Sequence, residues 1–262
     1  MLQQIVDNRK KHIARNKALY PVKLLESSMY FDSKVVSLSQ HITREDKTGI
    51  IAEFKRKSPS KGIINPYADV LDTTIGYMQA GASALSILTE PDYFMGKDGD
   101  LKIARNANYC PILRKDFIVD AYQVIETKSI GADAILLFAA CLEKGVLKDL
   151  YQLARSLGLE VLFEIHSAEE LSKLPGDELM IGVNNRDLKT MAVNIQTSFD
   201  IAKSLSKDFV LVAESGLSAA EDIIRLKEAG YSGFLMGEAF MKTPKPPETL
   251  ELLVEKLQKT TA

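Results

Sequence analysis

Short apolar runs return at intervals along this chain, and segments of helical periodicity lie between them. The runs fall at 49–54, 84–88, 112–114, 134–138, 160–163, 180–183, 210–213 and 233–236. Most are continuous rather than alternating, the pattern of strands buried on both faces in a parallel sheet. Amphipathic segments such as 121–130, 147–157 and 219–229 fill the gaps. Several of these segments close on a glycine just before the next run, at Gly81, Gly131, Gly158 and Gly230. A glycine ends a helix in the left-handed conformation at little steric cost. Eight strands alternating with helices predict an α/β protein folded as a single (β/α)8 TIM barrel. A doubly wound open sheet is the alternative, but no G-x-G-x-x-G follows the first strand.

Residues 1–48 precede the first strand and form an N-terminal helical extension. The stretch "IVDNRKKHIARNKALY" reads as a helix, and Pro21 begins a second segment that runs to Tyr30. A barrel does not need this extension, so it is expected to cap one end. No linker or low-complexity stretch divides the 262 residues, and one barrel domain of this length is ordinary.

The formal charge of −2 argues against nucleic acid or an anionic membrane as the main partner. Arg9, Lys10 and Lys11 form a local basic cluster that reads as a solvated helix face. The N-terminus lacks the apolar stretch of a secretory signal, and no run approaches the ~20 apolar residues of a membrane span. The expectation is a soluble cytoplasmic protein, with Cys110 and Cys141 as reduced core thiols. His12 and His41 lie in the extension and only His166 follows a strand, so solvated or packing roles are expected and no metal site.

Barrel enzymes carry their active sites at the C-terminal ends of the strands. Glu53 and Lys55 stand there on the first strand, pointing to the same face because side chains alternate. Lys115 comes after the third strand, Glu164 after the fifth, Asn184 after the sixth and Glu214 after the seventh. A buried acid–base pair contributes little to stability, so such a convergence favours a functional reading. Burial is expected to favour the neutral form of Lys115, with Glu53 or Glu164 opposing it. "AESGLS" after strand seven and "MGEAF" after strand eight are the turns that hold a phosphate in many barrels. Gly216 and Gly237 would allow the backbone to approach it closely. Ser215 sits in E-S-G, not in the G-x-S-x-G of a nucleophile elbow.

These residues resemble the indole-3-glycerol phosphate synthase family. The matching segments are "IIAEFKRKSPSKG", "LSILTEPDYFMG", "PILRKDFIVDAYQV", "EVLFEIH", "IGVNNRDL", "VAESG" and "GFLMGEAFM", in family order from Ile50 to Met241. E-F-K-R-x-S-P-S and L-R-K-D-F are the specific ones. The resemblance implies a small phosphorylated substrate, 1-(2-carboxyphenylamino)-1-deoxyribulose 5-phosphate, and no metal or organic cofactor. By the same resemblance, Lys115 is the general acid of ring closure and Glu164 the acid/base of dehydration. Lys55 binds the substrate carboxylate, while Glu53 and Asn184 position substrate and lysines. Phe117, Arg186 and Glu214 match substrate-lining positions. Ser58, Ser215, Gly216, Gly237 and Glu238 match phosphate-contacting ones. Some members carry serine where this chain has Glu238, so a backbone contact is implied there. Two rival readings are a Schiff-base aldolase using Lys115 and a non-catalytic sugar-phosphate binder.

Overall fold

A computed structural model of the chain describes residues 1–176, 179–206 and 208–261. Eight parallel strands form its centre: β1 Ile50–Phe54, β2 Ala84–Leu88, β3 Ile112–Lys115, β4 Ala134–Phe138, β5 Glu160–Ile165, β6 Met180–Asn184, β7 Val210–Glu214 and β8 Tyr231–Met236. They pair in chain order, and β8 returns to β1 through Ile50↔Phe234 and Ala52↔Met236 to close the barrel. The (β/α)8 architecture is the one expected.

Four polar residues expected after strands belong to them instead. Lys115 pairs with Leu88, Glu164 with Phe138, and Asn184 with Glu214. The backbone ladder decides where a strand ends, and it continues past the last apolar side chain. This matters because strand residues have a fixed facing. Ile51, Leu113, Leu162, Met180, Val212 and Leu235 pack inside the barrel. Counting on by twos puts Glu53, Lys115, Glu164, Asn184, Glu214 and Gly237 on that same inner face at the open C-terminal end.

The outer faces of the strands pack against helices, among them Val70–Gln79, Ala121–Ser129, Lys144–Ser156 and Ala220–Glu228. Side-chain caps start several of them: Asp69 accepts from the Asp72 N–H and Asp120 from the Tyr122 N–H. The four glycines expected to end helices all have positive φ, from +76° to +100°. Between β5 and β6 the helix is reduced to a 3-10 segment, Ala168–Lys173.

The extension covers both ends of the barrel rather than one. Its helices are α1 (Leu2–Leu19), α2 (Val22–Glu26) and α3 (Leu38–Ile42). Leu38 and Ile42 of α3 join the inner core and plug the N-terminal end. Ile5 of α1, with Met1 and Leu2, instead lines the pocket at the C-terminal end. Arg9 is therefore not a solvated cation: it is 4% exposed and donates to Asp116 at 2.7 Å. Lys10 and Lys11 are exposed as expected. Arg114 points outward from β3, where it is fully buried and pairs with Glu126 at 2.8 Å and Asp98 at 2.9 Å. A buried guanidinium is tolerated only with such partners. Cys110 is buried, Cys141 half-buried, and both are free.

Candidate active site

The open end of the barrel holds one pocket, and every site residue singled out from the sequence lines it. The ammonium of Lys115 lies 2.7 Å from Glu164 Oε2 and 3.3 Å from Glu214 Oε2. Lys55 Nζ lies 2.6 Å from Glu53 Oε1. Asn184 Nδ2 donates to Glu164 Oε1 at 2.7 Å, and Asn184 Oδ1 accepts from the Arg186 N–H at 3.0 Å. The amide orientation of Asn184 is thus set from both sides.

These groups hold unusual protonation states. Burial works against a charged Lys115, but Glu164, Glu214 and Glu53 outweigh it and hold the ammonium well above the usual lysine range. Burial disfavours the ammonium and Glu164 and Glu53 oppose that, as expected; with Glu214 added, the acidic neighbours win. Burial likewise opposes the charge on Glu164, yet Lys115 and the hydrogen bond from Asn184 keep its carboxyl below the ordinary value. Glu214 behaves oppositely. Burial, reinforced by the charges of Glu164 and Glu53, pushes it up to about 8 despite Lys115. Two carboxylates sharing one cation cannot both ionise freely.

One wall of the pocket is aromatic. Phe117 lies 6.2 Å from Phe94 and 6.0 Å from Phe138 between ring centroids. Phe94, Phe138 and Leu188 line the pocket as well, and sequence reasoning passed over all three. For Phe138 the signal was present, since it shares the inner facing of Ala134 and Leu136 on β4. His166, expected only to pack or be solvated, lies 3.5 Å from Glu164 Oε1.

Ser215 and Gly216 turn the chain sharply after β7, with φ of +65° and +79°. Asn185 Nδ2 holds this turn by donating to the Ser215 carbonyl at 3.2 Å. Ser58 faces the same end from a short ribbon in which it pairs with Gly62. The Glu238 carboxylate lies 3.4 Å from Lys61 and 3.7 Å from Arg186, so two cations border this end. Gly237 has a role that sequence reasoning missed. A Cβ there would come within 2.5 Å of Glu53 Oε1 and 2.8 Å of Glu53 Cβ. Gly182 gives Glu214 room in the same way.

Comparisons with known proteins show the family. Residues 2–253 match the family model described as indole-3-glycerol phosphate synthase. The chain is 44% identical over 258 residues to the indole-3-glycerol phosphate synthase of Bacteroides thetaiotaomicron, covering 98% of this chain and 99% of that protein. It is 41% identical to that of Carboxydothermus hydrogenoformans, covering 97% of this chain and 99% of the relative. Among solved structures, thiamine phosphate pyrophosphorylase from Pyrococcus furiosus superposes with a TM-score of 0.61 at 13% identity, covering 86% of this chain and all (100%) of that one. A mutant tryptophan synthase alpha-subunit from the same organism gives 0.57 at 16% identity, covering 81% and 98%. At such identities these two structures show the shared barrel fold alone.

Proposed function

The chain belongs to the indole-3-glycerol phosphate synthase family, a decarboxylating carbon–carbon lyase of tryptophan biosynthesis, and on that premise we propose how its pocket divides the work. The substrate is 1-(2-carboxyphenylamino)-1-deoxyribulose 5-phosphate. In ring closure, the ring carbon that bears the carboxylate attacks the ribulose carbonyl carbon. Lys115 protonates the carbonyl oxygen, which becomes a hydroxyl. Carbon dioxide then leaves and its bonding electrons restore the aromatic ring. Dehydration removes the new hydroxyl as water and a proton from the neighbouring carbon, which closes the indole double bond. Glu164 is the acid/base of that step, with Asn184 orienting it. Lys55, paired with Glu53 at 2.6 Å, offers its charge to the substrate carboxylate.

The substrate ring lies against Phe117, and Arg186 and Glu214 complete the lining. The phosphate takes the opposite end, at Ser58 and the backbone of Ser215, Gly216, Gly237 and Glu238. Backbone N–H groups suit a dianion there, and Glu238 contributes through its backbone because its carboxylate would repel phosphate. A soluble, cytoplasmic, single-barrel enzyme without a nucleic-acid partner completes the reading. Among the described residues no helix is long and apolar enough to cross a membrane.

The observation that carries the proposal is the ammonium of Lys115 held between buried Glu164 and Glu214 on the inner face. A lysine kept protonated is suited to donate a proton and unsuited to attack a carbonyl, which disfavours the aldolase reading. Indole formation with Lys115→Met tests it. Turnover should fall by at least ~100-fold with a much smaller change in KM. Near-normal turnover would sink the assignment, and a borohydride-trapped adduct on Lys115 would revive the aldolase.

A further inference from the structure

His166 is the residue the proposed mechanism leaves unused. It follows β5 directly, and its ring lies 5.0 Å from that of the inward-facing Phe138, tilted by 41°. Both ring nitrogens are buried, and neither has a hydrogen-bond partner among the described residues. A phenylalanine would pack on Phe138 equally well and spare the cost of burying two polar nitrogens. The polarity of His166 therefore has a use that the resting contacts do not show.

The surroundings of Glu164 indicate that use. Lys115 Nζ, at 2.7 Å from Oε2, has donors only. Asn184 presents its NH2 to Oε1, and it cannot flip to offer oxygen without losing the Arg186 N–H from Oδ1. These partners stabilise the carboxylate, and none accepts a hydrogen bond from the acid. His166 Nε2, 3.5 Å from Oε1, brings an acceptor within reach. Resting on the acid/base reading of Glu164, we propose that His166 is a positioning residue that makes protonated Glu164 accessible during dehydration. When Glu164 takes a proton from the substrate, the new Oε1–H donates to Nε2. The proton returns from the same oxygen to the departing hydroxyl, so no net proton moves to the imidazole.

The test compares His166→Phe, His166→Gln and Glu164→Gln by steady-state kinetics and thermal unfolding. His166→Phe keeps the ring packing and removes the acceptor; His166→Gln restores an acceptor oxygen on a flexible side chain. His166→Phe is expected to fold with a Tm equal to or above the parent's, to change KM by less than about 3-fold and to lower kcat by ~10–100-fold. His166→Gln should recover at least about 3-fold of that loss. Quenched single turnovers of His166→Phe should accumulate the ring-closed, decarboxylated species that precedes water loss. Parent-like kcat in His166→Phe alongside an inactive Glu164→Gln overturns the role of His166 alone. Equal impairment of the Phe and Gln variants, or a loss confined to Tm and KM, also overturns it. Parent-like kcat in Glu164→Gln instead overturns the acid/base assignment on which it rests.

Discussion

Glu214→Gln should stabilise this protein at alkaline pH and change its stability least near pH 5. Glu214 is 2% exposed, and its Oε1 has no hydrogen-bond partner among the described residues. Burial raises its carboxyl from the ordinary 4.5 to about 8, even with Lys115 at 3.3 Å. The folded chain therefore keeps a proton that the unfolded chain releases above pH 4.5. The sign follows from linkage: this contribution to stability is full below the unfolded value and is lost as pH rises through about 8. A gap of about 3.5 pH units is worth about 5 kcal/mol in full, and about 4 kcal/mol at pH 8, where titration is half complete. For a domain of this size that corresponds to roughly 8–16 °C in Tm.

The assay is thermal unfolding of parent and variant side by side from pH 5 to pH 9. Most other titrating groups are common to both, so the Tm difference reports Glu214 together with Lys115 and Glu164, which sense its charge. Near pH 5 glutamine mimics the acid that the folded chain keeps protonated, and the difference should be at its smallest, about 1 kcal/mol. The variant should then pull ahead as pH rises. A Tm difference that stays flat across the range would refute the argument that Glu214 is held neutral by burial.

Three further outcomes follow from the same geometry. Gly216→Ala adds a side chain where φ is +79° and where Val193 already packs; it should weaken inhibition by inorganic phosphate by about 1–3 kcal/mol and raise KM more than it lowers kcat. Unchanged phosphate inhibition in the folded variant would place the anion elsewhere. Gly237→Ala should instead lower kcat by at least ~10-fold, because its Cβ would meet Glu53 at 2.5 Å and displace the Lys55 pair; an unaltered kcat would contradict that. Arg9→Met removes one partner of a buried ion pair and should cost about 3 kcal/mol in thermal or urea unfolding, with no measurable loss expected only if Arg9 were solvated.

Local interactions wrote the framework into the sequence. Apolar runs, helical periodicity and positive-φ glycines depend on residues within a few positions of one another. From them follow the number of strands, their order and the polar ends of the first, third, fifth, sixth and seventh. Alternation alone placed Glu53 and Lys55 on one face. Sequence reading went wrong where distant segments meet. Arg9 looked solvated because nothing nearby in sequence marks Asp116, 107 positions away, as its partner. The balance between burial and acidic neighbours at Lys115 stayed open in the sequence, because Glu164, 49 positions away, and Glu214 reach it only when the barrel closes. The space that Gly237 leaves for Glu53 is equally a product of β8 closing on β1. Protonation, ion pairing and steric room depend on separation in space and on the exclusion of water. Only the closed barrel determines those, by bringing the side chains of Glu164 and Glu214, far from Lys115 in sequence, to 2.7 and 3.3 Å from its ammonium.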